Sequence, residues 1–143
     1  MIKNRSLQGD TKGLNAFANA AGANQAVSAN GTVSGRIIDM AGFDALQFYL
    51  NSGTITDGVH TLKLQDGDLA NGSDMADVDS TQVFAFGTNF NGAADSNLNK
   101  RFGYNANKRY VRLQIVSTGV TTGGTFSGVA LRANPKHSPI APD

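Results

Sequence analysis

The chain has 143 residues, a net charge of +1, 17 Gly and no Cys, which fits one domain with one modest core and excludes disulfides and thiolate metal sites. Its 11 acidic residues are all Asp; Asp belongs to caps and turns where Glu favours helix, so short strands joined by long loops are expected. Near-neutrality argues against broad, salt-dependent nucleic-acid binding, and no segment approaches the roughly 20 apolar residues of a membrane span.

Met1-Ile2-Lys3-Asn4-Arg5 lacks the apolar run of a signal peptide, which predicts synthesis in a cytoplasm. Residues 1–25 carry only Leu7, Leu14 and Phe17 as large apolar side chains among Asn, Gly, Ala and Lys. They read as an extended arm that orders against a partner. From Gln25 the pattern becomes strand-like, first at Thr32 to Ile38 and then at Ala45 to Leu50. In the second run Leu46, Phe48 and Leu50 share one face, the period of two expected of a half-buried strand.

Asn51-Ser52-Gly53 ends that strand, and Thr56-Asp57-Gly58 signals a turn. The next strand sets His60, Leu62 and Leu64 opposite Val59, Thr61, Lys63 and Gln65. Residues 66–80 then read as an acidic loop, Gln82 to Phe86 as a strand stopped by Gly87, and the Asn-bearing stretch to Arg101 as another loop. A final hairpin runs from Tyr110 to Ser117 and back from Thr125 to Arg132, with Val111, Leu113 and Ile115 inward. The expected fold is all-β: a single-domain antiparallel β-sandwich or small, jelly-roll-like barrel of about six or seven strands. Its expected parts are an arm at 1–25, a core domain at 26–133 and a Pro-rich tail at 134–143. Leu46, Phe48, Leu50, Leu62, Leu64, Phe84, Phe86, Val111, Leu113, Ile115, Val129 and Leu131 are the expected core.

Of the two His, His60 lies inside a strand and His137 in the tail, and neither sits in a nucleophile or metal-ligand pattern. A structural histidine is the better reading of His60, and no enzyme is expected. Asp66-Gly67-Asp68 opens like a calcium loop but lacks the third ligand and the distal Glu, so no metal or cofactor is assigned. Arg101-Phe102-Gly103-Tyr104 through Tyr110 has the cations and aromatics of a single-strand nucleic-acid platform. Local charge on a near-neutral chain instead favours Tyr104 and Tyr110 packing at a sheet edge or subunit contact. The charges do fall into two windows. Asp66, Asp68, Asp74, Asp77 and Asp79 form one, and Lys100, Arg101, Lys108, Arg109 and Arg112 the other. With Tyr104 and Tyr110 these are the candidate assembly contacts, since opposite patches attract copies or a complementary partner.

The chain resembles the small structural proteins encoded beside the major capsid gene in tailed bacteriophages. The resemblance rests on Gly53-Thr54-Ile55-Thr56-Asp57-Gly58-Val59-His60-Thr61, on Gly103-Tyr104 followed by Lys108-Arg109-Tyr110-Val111-Arg112, on the Thr/Gly hairpin and on Pro135-Lys136-His137-Ser138-Pro139. It covers roughly residues 28–140. It implies a virion component, above all a capsid decoration, or cement, protein on the outer surface of the assembled head. The implied partners are the major capsid protein and copies of the chain itself, as a homotrimer, with no nucleic acid and no membrane. A head–tail connector, a tail protein or a carbohydrate-binding module on the phage surface remain the alternatives.

Overall fold

The computed structural model describes residues 11–17, 25–85, 87–105 and 107–136. The strands, in chain order, are β1 (Thr11–Asn15), β2 (Gln25–Val27), β3 (Gly31–Ser34), β4 (Ile38–Asp39), β5 (Phe43–Ile55) and β6 (Val59–Gly67). They continue with β7 (Ala76–Asp77), β8 (Val83–Ala85), β9 (Asn89–Asn91), β10 (Asn99–Asn105), β11 (Tyr110–Thr118) and β12 (Gly124–Pro135). Two short 3-10 turns, Ser80–Gln82 and Gly92–Asp95, are the helical elements among the described residues.

The strands form two antiparallel sheets packed as a β-sandwich. One has the order β1-β12-β5-β10-β8, with β2 also on β12; the other has the order β3-β11-β6-β7, with β4 on β11 and β9 on β6. Both β5–β6 and β11–β12 are corners that carry the chain from one sheet to the other, so the layers are tied twice at one end. The first described strand begins at Thr11, opposite Ala133, and Pro135 lies opposite Phe43. The first and last described strands therefore meet at the other end.

The expected faces of β5, β6 and β11 are the observed ones. Leu46, Phe48, Leu50, Leu62, Leu64, Val111, Leu113 and Ile115 are all buried in one cluster. The faces of β8 and β12 are reversed: Phe84 is 63% exposed and Val129 42% exposed, Leu131 is half-buried, and Phe126 and Ala130 point inward instead. Both strands are apolar on alternate positions of either parity, so alternation does not choose between the faces; packing does. Phe86 lies outside the described residues.

A second correction concerns the Asn-bearing loop, part of which is strand. β10 pairs with β5 over its whole length and buries Phe102 and Tyr104. The N-terminal arm is corrected as well. β1 is an edge strand on β12, and Ala16 and Phe17 after it are fully or nearly fully buried. A polar average hid the few apolar side chains that matter. Ala16 also bridges the layers, its N–H donating to Gly128 and its carbonyl accepting from Arg36. Trimming residues 1–17 is thus expected to lower Tm more than trimming 1–10, because it also removes β1, Ala16 and Phe17. Equal melting of the two truncations would put Phe17 outside the core. Residues 137–143, most of the expected tail, are outside the described part, while Pro135 belongs to β12.

Candidate functional site

The loops Met40 to Gly42, Asp68 to Met75 and Asn107 to Arg109 converge with Lys136 at the end of the sandwich where the first and last strands meet. Two hydrogen bonds fix this convergence: Met40 N–H donates to the Arg109 carbonyl at 2.8 Å, and Lys136 N–H donates to the Gly42 carbonyl at 2.9 Å. A cavity of about 290 Å³ lies between the Met40 to Gly42 and Asn107 to Arg109 loops, lined also by Phe43, Asp44 and Lys136.

The cations here are paired within the chain. Arg109 makes a two-pronged contact with Asp39, Nε and Nη2 each 3.0 Å from a carboxylate oxygen, which holds the Asp39 carboxyl below its usual range. Its guanidinium also lies 5.1 Å from the Tyr110 ring centre. Lys108 reaches Asp68 at 3.3 Å and Lys136 reaches Asp44 at 3.6 Å. Such exposed pairs contribute ~0–1 kcal/mol each, so they are not what holds the fold.

The two charge windows are therefore neighbours in one molecule. Arg112 donates to Gln65 Oε1 from Nε at 2.9 Å and from Nη2 at 2.7 Å, directly across β11 and β6. Lys100 lies apart, half-buried over the Phe90 ring and bonded to the Asn89 carbonyl and Asp95. Arg101 is exposed on β10.

The acidic residues have mostly local duties. Asp74 accepts the Asp68 and Leu69 N–H groups, closing its own loop, and these donors lower its pKa. Asp79 caps the Ser80–Gln82 turn through Thr81 N–H, and Asp77 takes Lys63 and Gln65. Asp66 is no surface contact: it is 7% exposed and accepts the Tyr104 hydroxyl at 2.6 Å. Tyr104 is likewise buried rather than at a sheet edge. It is 3% exposed, and β10 is an interior strand of its sheet, between β5 and β8. The alternation of Phe102 and Tyr104 was the signal that could have placed it. Among the described residues, no cluster of three or more His, Asp, Glu or Cys is arranged to hold a metal ion.

The opposite end is organised by Asp57, a residue outside both charge windows. Its carboxylate accepts the N–H groups of Thr121, Thr122 and Gly123, pinning the β11–β12 corner to the β5–β6 corner. Gly123 has φ +78°, and a side chain there would collide with the Val27 carbonyl. His60 sits beneath, fully buried, with Nδ1 2.8 Å from Ser117 Oγ and Nε2 3.1 Å from the Asp57 carbonyl. Gly123, then Thr121, hold the Asp57 carboxyl below its usual range. Stability from a depressed carboxyl is present above its unfolded pKa and is lost as pH falls through the folded one. Asp57→Asn should lower Tm at neutral pH and flatten the decline of Tm below about pH 4. Identical melting curves for the two proteins across that range would remove Asp57 from this role.

Compared with known proteins, the chain matches no family model and no curated protein.

Proposed function

We propose that this chain is a non-enzymatic capsid decoration (cement) protein, bound to the outside of an assembled phage head and bridging neighbouring capsomers. The observation that carries this reading is the convergence at one end of the sandwich. The entry of β1, the exit of β12, and the Arg109–Asp39, Lys108–Asp68 and Lys136–Asp44 pairs all lie there. The first and last described residues of the sandwich, Thr11 and Lys136, lie at that end beside exposed charged side chains, which supports attachment through it. Rim charges set association rate and orientation more than affinity.

Cryo-electron microscopy of particles carrying the protein tests the reading directly. Density at the local threefold positions of the shell supports it. Density only at one vertex or along the tail replaces it with a connector or tail protein. Retention on a glycan array, with none on undecorated heads, replaces it with a carbohydrate-binding module. For the rim itself, association with undecorated heads should slow as salt rises, because exposed charges are screened over ~10 Å at 0.1 M. Arg109→Glu with Lys136→Glu should slow it further, and Lys63→Gln on the outer face of the other sheet should not. Salt-independent binding unaffected by either change would leave the rim without a part in attachment.

A further inference from the structure

The two outer faces of the sandwich differ in chemistry. On the β3-β11-β6-β7 sheet, outward side chains are tied across strands: Arg112 to Gln65, Lys63 and Gln65 to Asp77, and Gln114 to Ser34 Oγ at 2.9 Å. Such a polar lattice suits water. The outward face of the other sheet mixes polar residues with a strip of large apolar ones. Val129 faces Tyr49 across β12 and β5, Leu131 faces Gln47, and Phe84 faces Gly103 across β8 and β10. Phe84, Val129 and Tyr49 are 63%, 42% and 39% exposed. Strands apolar on both faces are the pattern of a sheet covered on both sides.

This face also has relief. Gly103 places no side chain at its centre, leaving a groove of about 400 Å³. Phe84 walls the groove on the β8 side and Leu131 and Ala133 wall it on the β12 side. A projecting aromatic and a hole beside it, on one flat face, are self-complementary. A two-fold axis lying in the plane of the contact, between Phe84 and the groove, brings each Phe84 to the other copy's groove, as an isologous contact requires. Charge selects the same occupant. Of the outward residues in these cross-strand rows only Arg101, opposite Tyr49, is charged, and Asp44 at the rim of the groove is paired with Lys136, so like faces meet with little repulsion. A charged foreign segment would find few partners there.

We propose that the outer face of the β1-β12-β5-β10-β8 sheet is the contact between two copies of this chain, with Phe84 of each seated in the groove of the other. Each buried aromatic removes ~150–250 Å² from water. The pairing is a property of the free protein and stands apart from the shell reading, which is measured on particles.

Sedimentation of the full chain over a concentration series tests it. The expected species is a pair at twice the chain mass, rather than the trimer that the resemblance implied. Phe84→Asp and, separately, Val129→Asp should weaken the pair about tenfold or more, the scale of an aromatic hot spot. Circular dichroism and Tm should show both variants folded, since both side chains are exposed. Leu69→Asp, on an exposed apolar residue of the Asp68 to Met75 loop, should leave the pair intact. A monomeric or trimeric wild type, or a pair unaffected by both substitutions, overturns the proposal. So does a monomeric wild type whose Phe84→Asp variant no longer binds heads, an outcome that gives this face to the shell protein.

Discussion

Phe48→Ala or Leu113→Ala is expected to cost about 2–5 kcal/mol of folding stability, because each deletes a fully buried side chain and leaves a cavity that the neighbours only partly fill. Both residues are 0% exposed and occupy interior strands, one in each sheet. Phe48 lies between Phe102 and Ala130 on the flanking strands, and Leu113 faces Leu64. Central strands are held on both sides by backbone hydrogen bonds and cannot shift inward to close the gap. For a domain whose whole stability is about 5–15 kcal/mol, either change removes a large part of it. Tm should fall by roughly 6–20 °C. Val129→Ala, on the outward face of β12, should stay within about 0.5 kcal/mol of the wild type in the monomer. If Phe48→Ala and Leu113→Ala both melt with the wild type, the core has been assigned to the wrong faces.

The second large effect lies in alkali. Burial, and then the neighbouring Asp66 carboxylate, push the Tyr104 hydroxyl up from its usual 10.0 to about 12. The hydroxyl donates to Asp66 and accepts the Asn107 N–H at 3.2 Å, so it joins β10, β6 and the β10–β11 connection. A group with a raised folded pKa stabilises fully below its unfolded value, and that contribution disappears as pH rises to the folded one. Here the window is from pH 10.0 to about 12, and the loss is on the order of 2–3 kcal/mol. Tyr104→Phe removes the titration and leaves Asp66 without its donor, at a cost of ~1–3 kcal/mol near neutrality. Denaturation midpoints of the two proteins should therefore converge as pH climbs through that window. Parallel curves would mean that Tyr104 ionises in the folded protein as it does in the unfolded chain.

The strands that could be read from the sequence were those with one apolar parity. Leu46, Phe48 and Leu50, or Leu62 and Leu64, alternate with polar residues, so register and face follow together. In β12, Phe126 and Ala130 compete with Val129 and Leu131, and the local pattern is the same whichever set is inside. Choosing between them needs the opposing layer, where Phe126 packs against Phe90 at 5.4 Å and His60 at 4.9 Å. Those two residues are remote in sequence from β12. Asp66 was misjudged for a related reason. Its charge placed it with Asp68 and Asp74, but its position on β6, in phase with Leu62 and Leu64, placed it inside. Asp57 was visible only as a turn residue, because the corner it fastens lies in another part of the chain.

The pairing of β1 with β12 has a kinetic side. The first described strand finds its hydrogen-bonding partner in the last, Asn15 beside Val129 and Thr11 beside Ala133, and β5 waits for the same strand. Loops that long must close before any contact rewards them, which places such topologies among the slow folders, in milliseconds to seconds. During translation, at ~5–20 residues per second, the apolar face of β5 would leave the ribosome several seconds before β12 does. Throughout that interval β5 lacks one of its two flanking strands even after β6, β10 and β11 have emerged, so the core around Leu46, Phe48 and Leu50 stays incomplete and open to aggregation until the last described strand is made.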